Sequence, residues 1–233
     1  MTSDSHSGGP TGRAENSTSD LECGKLDQVI PPSEILDSAA ADPMSSAWDF
    51  IWQESCHQGT CDPASAVLLP WLVQTCTAFS REDRENALVL AALITLDSGD
   101  ANRDVYTDEI AALRALAVDG LPSASSDSAF VYLQQAILGF DGDEIWGKEL
   151  DLVNDGEVDV QCPECEEELL VALHDEDSEI EPGLPSELAS RLYAEAVAAG
   201  RERVATVFTR IFGRFTCPGC RTRFVLADHL AGV

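Results

Sequence analysis

Basic residues are scarce in this chain: 14 lysines and arginines stand against 42 aspartates and glutamates, which gives a formal charge of −28. A surface this negative repels phosphate backbones, so general nucleic-acid binding is disfavoured unless a local basic patch overrides the repulsion. The hydrophobic fraction of 44% over 233 residues is nevertheless enough for at least one full core. The composition therefore indicates an acidic folded protein with room for two modest domains.

Long hydrophobic runs are also missing. The longest mostly apolar run, Ala87 to Leu96, covers ten residues, about half of the ~20 that a membrane-spanning helix requires. No charged segment followed by an apolar one opens the chain. We therefore expect a cytoplasmic protein with no membrane partner.

Signatures of catalysis are few. Beyond the first 20 residues the chain has only His57, His174 and His229, and it contains no nucleophile elbow, P-loop or dinucleotide-binding motif. The segment 151–156 fails the calcium-loop template because Val153 occupies a ligand position. We predict no catalytic residues and no enzymatic activity, with a metalloenzyme or a thiol redox enzyme as the alternatives left open.

Residues 1–43 are predicted to form a disordered acidic tail or arm. Twelve of the first 20 residues are Ser, Thr, Gly or Pro, so burial there could not offset the entropy of ordering the chain. Residues 21–42 carry a few apolar side chains around Pro31-Pro32. These favour a short arm that lies on the body of the protein or on a partner.

Residues 44–150 have the periodicity of amphipathic helices. Asp62-Pro63 is a helix N-cap followed by proline, and apolar residues then recur at helical spacing as far as Phe79. We predict one helix there, bent at Pro70, and further helices over about 83–96, 104–118 and 127–139, with 83–96 at the centre. Antiparallel helix pairs joined by short turns are typical of a HEAT-like stack, although an irregular helical bundle would give the same pattern.

Four short segments carry a family resemblance. They are Ala47-Trp48-Asp49-Phe50-Ile51-Trp52, Cys56-His57-Gln58-Gly59-Thr60, Ala64-Ser65 and Leu69-Pro70-Trp71-Leu72. Over about residues 44–140 the chain resembles a group of bacterial HEAT-like helical-repeat proteins, some of which occur among toxin-immunity genes. The resemblance implies a HEAT-like α-helical fold over 44–150 and, as a first specific function, a toxin-neutralising or similar accessory role.

The cysteines contain the strongest motif. With eight cysteines in a chain of cytoplasmic character, metal ligands and core residues are expected before disulfides. Cys162-Pro-Glu-Cys165 and Cys217-Pro-Gly-Cys220 each lie between short strand-like runs, which predicts two β-hairpins with a cysteine knuckle at each tip. Two such knuckles supply the closed tetrahedron of four thiolates that structural zinc prefers. We therefore predict one zinc ion bound by Cys162, Cys165, Cys217 and Cys220.

The residues around these cysteines argue against a redox pair. Glu164 and Glu166 to Glu168 crowd the first pair, and nearby carboxylates raise the pKa of a thiol, whereas a reactive thiolate needs positive surroundings. A zinc ion would supply that charge. Gly219 is expected to take the positive φ of its knuckle. His174 and His229 could replace a thiolate ligand, but with four thiols available both are predicted to lie on the surface.

Fifty-one residues separate the two knuckles, more than the ~15–20 of a compact zinc ribbon. The apolar spacing over 186–199 and 201–212 predicts a helical hairpin in this interval, with its turn at Gly200. We therefore predict a zinc-ribbon-like unit over 151–233 that carries a helical insertion at 184–212. The predicted fold class is mainly α, with HEAT-like antiparallel helix pairs and this small β unit.

The other cysteines are predicted to be structural or incidental. Cys56, His57 and Cys61 form a loose cluster without a fourth ligand, so His57 is expected to hydrogen-bond at a helix terminus instead of binding metal. Cys76 lies on the apolar stripe and is predicted to be a core residue. Cys23 is expected to be an exposed thiol.

Half of all basic residues lie between positions 191 and 223, as seven arginines. Arginine binds phosphate or carboxylate bidentately, so this segment predicts a partner-binding face formed by Arg201, Arg203, Arg210 and Arg214. Alternatively, the arginines compensate the 18 acidic residues of the neighbouring stretch 141–187.

The function predicted from the sequence is that of a non-catalytic, zinc-binding, cytoplasmic protein, an adaptor or inhibitor that binds another protein. The alternative is an arginine-faced zinc-ribbon module that docks on nucleic acid or transcription machinery.

Overall fold

The computed structural model describes residues 31–174 and 179–230, and the predictions for the first 30 residues, including Cys23, lie outside this range. The predicted fold class is confirmed: the chain is mainly helical, with small antiparallel sheets. The α-helices are α1 Ser33–Ala41, α2 Ala47–Ser55, α3 Leu69–Ala78, α4 Glu85–Asp97, α5 Gly99–Val105, α6 Thr107–Gly120, α7 Asp127–Asp141, α8 Trp146–Glu149, α9 Leu152–Asp155, α10 Glu187–Ala198 and α11 Glu202–Ile211. The strands are β1 Cys56–His57, β2 Thr60–Cys61, β3 Glu157–Gln161, β4 Glu168–Ala172, β5 Ile180–Glu181, β6 Arg214–Thr216 and β7 Arg223–Val225.

Helix α4 lies at the centre of the helical part, as its apolar sequence predicts. Leu88, Leu90 and Ile94 are fully buried, and α4 packs against α3, α6, α7 and α8. A helix that is apolar on nearly all sides must be covered on nearly all sides. None of the helices in 31–174 and 179–230 has the length and apolar character to span a bilayer.

The segment after Asp62 differs from the predicted single bent helix. Residues Pro63–Leu68 form a 3-10 helix, and the α-helix α3 begins only at Leu69. The Asp62 side chain does cap the segment, since its Oδ1 accepts from the Ala64 N–H at 2.8 Å. Pro70 has no N–H, and its ring would clash with the carbonyl of Ala66 in a continuous α-helix. At the start of α3 neither defect matters, because the first turn lacks hydrogen-bonded N–H groups in any case.

Part of the segment predicted to be a tail or arm, residues 33–41, forms helix α1 and lies on the body of the protein. Helix α1 packs against α2, and its Ala39 is fully buried. The apolar residues Ile35 and Leu36 are half-buried against the core. The few apolar residues of this segment are therefore enough to dock one short helix.

Cys56 and Cys61 form a disulfide, so the expectation of metal ligands or core residues before disulfides is wrong for this pair. Gln58 and Gly59 both have positive φ, 52° and 79°, and make the two-residue turn of the β1–β2 hairpin. In such a hairpin the residues two before and two after the turn face each other across the strands. His57 lies in β1 and is exposed, instead of standing at a helix terminus.

Helices α7 and α8 approach each other at two glycines. A Cβ added to Gly147 would lie 2.7 Å from the Gly139 Cα and 2.9 Å from the Leu96 Cδ1. The first of these neighbours is backbone and cannot move without shifting a helix. Only glycine at position 147 therefore permits this packing.

Replacing Gly147 with alanine is expected to lower the free energy of unfolding by about 3 kcal/mol, because overpacking against backbone forces a helix shift. Gly183→Ala is the matched control, since no atom lies within 4 Å of the added Cβ, and it should change stability by less than about 0.5 kcal/mol. Urea unfolding of both variants measures the difference. Equal stability of the two variants would show that α8 can move away from α7 at little cost.

The predicted helical insertion is present as α10 and α11, and it joins the two parts of the chain. Helix α11 packs against α7 and α9, and the rings of Trp146 and Phe212 lie 4.8 Å apart. Gln134 of α7 donates to the Glu195 carboxylate of α10 at 3.0 Å. The insertion thus packs on the helical part, and its second helix, α11, leads directly into β6 of the second cysteine hairpin.

Candidate metal centre

Two β-hairpins carry the four cysteines, as predicted. Strand β3 pairs antiparallel with β4, and β6 pairs antiparallel with β7, while β5 extends the second hairpin along β6. Val158 and Val160 of β3 face the core and alternate with exposed residues, which is the pattern of a strand with one covered face. Each pair of cysteines lies at the turn of its hairpin.

The two turns have the same hydrogen-bond pattern. In the first, the Cys162 N–H donates to the Glu167 carbonyl at 3.0 Å, and the Glu166 N–H donates to the Cys162 carbonyl at 2.9 Å. In the second, the Cys217 N–H donates to the Thr222 carbonyl at 2.9 Å, and the Arg221 N–H donates to the Cys217 carbonyl at 3.0 Å. Equal spacing in the sequence therefore produces two copies of one knuckle.

The residue that takes a positive φ differs from the prediction. It is the residue after the second cysteine in each knuckle, Glu166 at 58° and Arg221 at 65°, and not Gly219. The chain must reverse there so that the following N–H groups point back at the sulfur. A Cβ at Gly219 would lie 2.4 Å from a Glu167 carboxylate oxygen, which is the end of a flexible side chain and can move aside.

The four sulfur atoms converge on one point. All four Sγ atoms lie within 4.8 Å of one another, with 3.5 Å between Cys162 and Cys220 and 3.7 Å between Cys165 and Cys217. A tetrahedron with metal–sulfur bonds of ~2.3 Å has sulfur–sulfur edges of about 3.8 Å. The first cysteine of each knuckle is fully buried and the second reaches the surface. These four residues could therefore bind a metal ion.

Hydrogen bonds and thiol contacts give Cys165 and Cys220 different pKa values. The Thr222 hydroxyl and the Thr222 backbone N–H lower the pKa of Cys220 to about 6. The Glu167 backbone N–H lowers the pKa of Cys165, but contacts with Cys162 and the other thiols, together with burial, raise it to about 12. Glu167 and Thr222 occupy equivalent positions, two residues after the second cysteine. Sequence reasoning missed Thr222, although this shared position was the signal that could have identified it.

A second connection joins the two hairpins next to the sulfurs. The Gln161 N–H of β3 donates to the His229 carbonyl at 3.0 Å, and Val160 makes a β-bridge with Leu230. The chain that leaves β7 therefore runs back along β3. This places the two knuckles face to face even though 51 residues separate them in the sequence.

Neither candidate histidine joins the sulfur cluster. The only group of three or more possible ligands found within the described residues consists of the four cysteines. The His229 ring packs edge-on against Phe224 at 5.1 Å, and His174 lies against Gly156. Cys76 is fully buried, and burial, partly opposed by Arg84, raises its pKa to about 12. It is an inert core residue, as predicted.

The four arginines predicted to bind a partner do not share one accessible face. Arg201 is half-buried and donates to the Asp127 carboxylate and to the Ala124 carbonyl, and Arg210 is buried. Arg203 and Arg214 are exposed. Among the described residues, four of the seven arginines between 191 and 223 pair with carboxylates: Arg191 with Glu195, Arg201 with Asp127, Arg221 with Glu179, and Arg223 with Glu181. Partner binding stays a prediction, and the ion pairs favour the alternative of charge compensation within the chain.

Comparisons with known proteins do not extend this description. No protein-family model matches the chain, and searches of curated proteins and of solved structures give no significant match. The relation to bacterial HEAT-like proteins therefore stays a prediction.

Proposed function

We propose that this protein is a non-catalytic zinc-binding adaptor or inhibitor of the toxin-immunity type. Its helical part would bind another protein, and one zinc ion on Cys162, Cys165, Cys217 and Cys220 would hold the C-terminal unit together. The observation that carries the proposal is the convergence of these four sulfurs within 4.8 Å of one another.

The ligand set supports a structural ion. Four thiolates complete a tetrahedral zinc site and leave no position for a water or a substrate, whereas catalytic zinc keeps one position open. When bound, zinc would supply the positive charge that holds four thiolates together next to Glu164 and Glu166 to Glu168. Tetrahedral thiolate sites also suit iron, so the identity of the metal needs a direct measurement.

Metal analysis of the purified full chain tests this part of the proposal. We expect one zinc per chain and no iron after extensive dialysis. Oxidation of the thiols should then release this zinc, which a colorimetric indicator should detect as one equivalent per chain. Cys76→Ala is the control, because it removes a thiol that lies outside the cluster and should leave the zinc content unchanged. Iron in place of zinc, or metal-free protein after zinc is supplied, would refute the assignment.

The charge of the helical part supports a basic protein partner. Residues 31–150 contain 20 acidic and 5 basic side chains. Four of the five basic side chains already pair with carboxylates: Arg81 and Arg84 with Asp119, Arg114 with Asp141, and Lys148 with Asp97. The remaining field is strongly negative, and such a field attracts and orients a positively charged protein.

Affinity capture from the native host, with the full chain as bait, tests the partner. We expect one dominant basic protein at low salt and its loss at about 500 mM salt, where the Debye length falls to a few ångströms. Asp100→Asn, Asp104→Asn and Asp108→Asn remove three exposed charges of the helical part and should weaken the capture. Recovery of nucleic acid instead of protein would favour the alternative of an arginine-faced module.

A further inference from the structure

A cleft of about 410 Å³ lies in the helical part, away from the sulfur cluster. The end of α2, the β1–β2 turn, α4, α7 and the α8–α9 segment surround it. Its volume falls at the lower end of the range of about 300 to 1,000 Å³ that is typical of small-molecule sites. The proposed zinc adaptor function assigns no small-molecule ligand to this cleft.

The walls of the cleft are apolar and aromatic. Val89 and Leu93 lie one turn apart on α4, on the side of this helix that its neighbours leave uncovered, and both are half-buried. Trp52 of α2 and Tyr132 of α7 complete the walls and are also half-buried. An occupant would therefore meet two aromatic rings and two aliphatic side chains.

Hydrogen bonds hold the polar parts of the cleft in place. The Trp52 Nε1–H donates to the Asn86 Oδ1 at 2.7 Å, which orients the indole. Gln135 is only 4% exposed, and its amide uses both ends: Nε2 donates to the Lys148 carbonyl at 2.9 Å, and Oε1 accepts from the Asp151 N–H at 3.0 Å. The α8–α9 segment is therefore anchored to α7, and the cleft is preformed.

The charge that lines the cleft is negative. Glu85, Glu149 and Asp151 are half-buried, and none of them makes an ion pair within 31–174 and 179–230. Lys148 is the one cation among the lining residues, and its Nζ donates to the Asp97 Oδ1 at 2.6 Å. The other Asp97 oxygen accepts from the Cys61 N–H at 2.8 Å. Lys148 is thus committed to Asp97 beneath the disulfide hairpin, and the three carboxylates lack a cation.

Two of the carboxylates, Glu85 and Asp151, sit in an environment that disfavours their charge. Burial raises the pKa of Glu85, and burial together with Glu149 and Asp155 raises the pKa of Asp151. Burial, followed by the carboxylates of Asp151 and Glu85, raises the pKa of Tyr132. The Tyr132 ring therefore stays neutral close to both carboxylates. A cation in the cleft would relieve this unfavourable arrangement.

We propose that this cleft binds a small organic cation, an ammonium group carried on an aromatic or branched aliphatic body. The carboxylates of Glu85 and Asp151 would pair with the ammonium group, and the rings of Trp52 and Tyr132 would cover its apolar body. An organic anion would be repelled by all three carboxylates. A bare metal ion is disfavoured because these carboxylates do not converge closely enough to form a ligand group.

Isothermal titration of the full chain with phenethylamine tests the proposal. Two compounds of similar shape are the control ligands: 2-phenylethanol, which is neutral, and phenylacetate, which is an anion. We expect phenethylamine to bind with a dissociation constant in the range of about 0.1 to 1 mM, which is typical of a fragment. The alcohol should bind at least about tenfold more weakly, and phenylacetate should not bind. Phenethylamine should also change the tryptophan fluorescence, and Trp52→Phe should remove most of that change.

The variant Glu85→Gln/Asp151→Asn separates binding from folding. It should weaken phenethylamine binding at least about tenfold, whereas Asp108→Asn/Glu157→Gln, which removes two exposed charges elsewhere, should bind as the wild type does. The cleft variant should also melt at a higher temperature at pH 7. Folding raises the pKa of both carboxyl groups, so their protonated forms stabilise the folded protein at pH values below the unfolded pKa. This contribution is lost as the pH rises through the folded pKa. At pH 7 the wild type therefore holds two disfavoured charges that the neutral amides of the variant lack.

The gain in melting temperature should therefore vanish as the pH falls below the ordinary values of 3.8 for Asp151 and 4.5 for Glu85. A purely structural role of the two carboxylates would instead lower the melting temperature of the variant. Three results would overturn the proposal. The first is no binding of phenethylamine at a concentration 10-fold above the expected ~1 mM upper limit of the dissociation constant. The second is equal affinity for the amine and the alcohol, and the third is an equal loss of phenethylamine affinity in the cleft variant and in its control.

Discussion

Replacing both Cys162 and Cys217 with serine is expected to abolish zinc binding and to unfold the two cysteine hairpins. Structural zinc contributes on the order of 10 kcal/mol to folds of this kind, because the site does not exist in the unfolded chain. Both residues are fully buried, so each substitution also leaves a hydroxyl in the core of the C-terminal unit. The zinc content of the variant should fall from one per chain to none.

The unfolding should stop at the helical insertion. Helix α11 packs against α7 and α9, and these contacts do not depend on the sulfurs. The far-ultraviolet circular dichroism of the helices should therefore change little, while backbone amides of β3, β4, β6 and β7 lose their protection from hydrogen exchange. A chelator added to the wild-type protein should produce the same pattern. A double variant that still binds one zinc per chain would refute the ligand assignment.

Replacing Phe208 with alanine is expected to lower the free energy of unfolding by about 4 kcal/mol, because the truncation leaves a cavity in a fully packed site. Phe208 of α11 is fully buried, and its ring centroid lies 6.4 Å from that of Phe212, which in turn contacts Trp146 of α8. This row of three aromatic rings joins the insertion to the helical part. Loss of the Phe208 ring should therefore destabilise the insertion and the helical part together.

Urea unfolding followed by tryptophan fluorescence and by circular dichroism measures this effect. Phe208→Leu, which retains most of the buried volume, should recover more than half of the loss. Val197→Ala on α10 is the exposed control, since Val197 is 50% exposed, and it should change stability by less than about 0.5 kcal/mol. Separate transitions for the two probes in Phe208→Ala would show that the helical part and the C-terminal unit unfold independently.

Much of the metal centre follows from local sequence. A Cys-x-x-Cys unit with proline in its second position makes the same turn wherever two strands lead into it, since the turn depends on dihedral preferences and on hydrogen bonds within six residues. The helices over 85–97, 127–141 and 187–211 follow from apolar spacing in the same way. The single helix predicted to bend at Pro70 is instead a 3-10 helix followed by α3, because the apolar periodicity continues through both and does not report the switch between them.

The disulfide and the cleft show what local sequence leaves undetermined. Cys56 and Cys61 become partners only because Gln58 and Gly59 both adopt positive φ, and positive φ is uncommon for glutamine. Trp52, Glu85 and Tyr132 come from three separate helices and Asp151 from the turn between α8 and α9, and no spacing in the sequence brings these four residues together.

The amino-acid sequence by itself determined the mainly helical class, the two cysteine knuckles and the helical insertion between them, because each arises from preferences that act over a few neighbouring residues. Only the tertiary structure decided that the insertion joins both parts, that most of the clustered arginines pair within the chain, and that unpaired carboxylates line an aromatic cleft. These features depend on which distant side chains pack together, and that is set by the sum of many weak contacts between elements far apart in the chain.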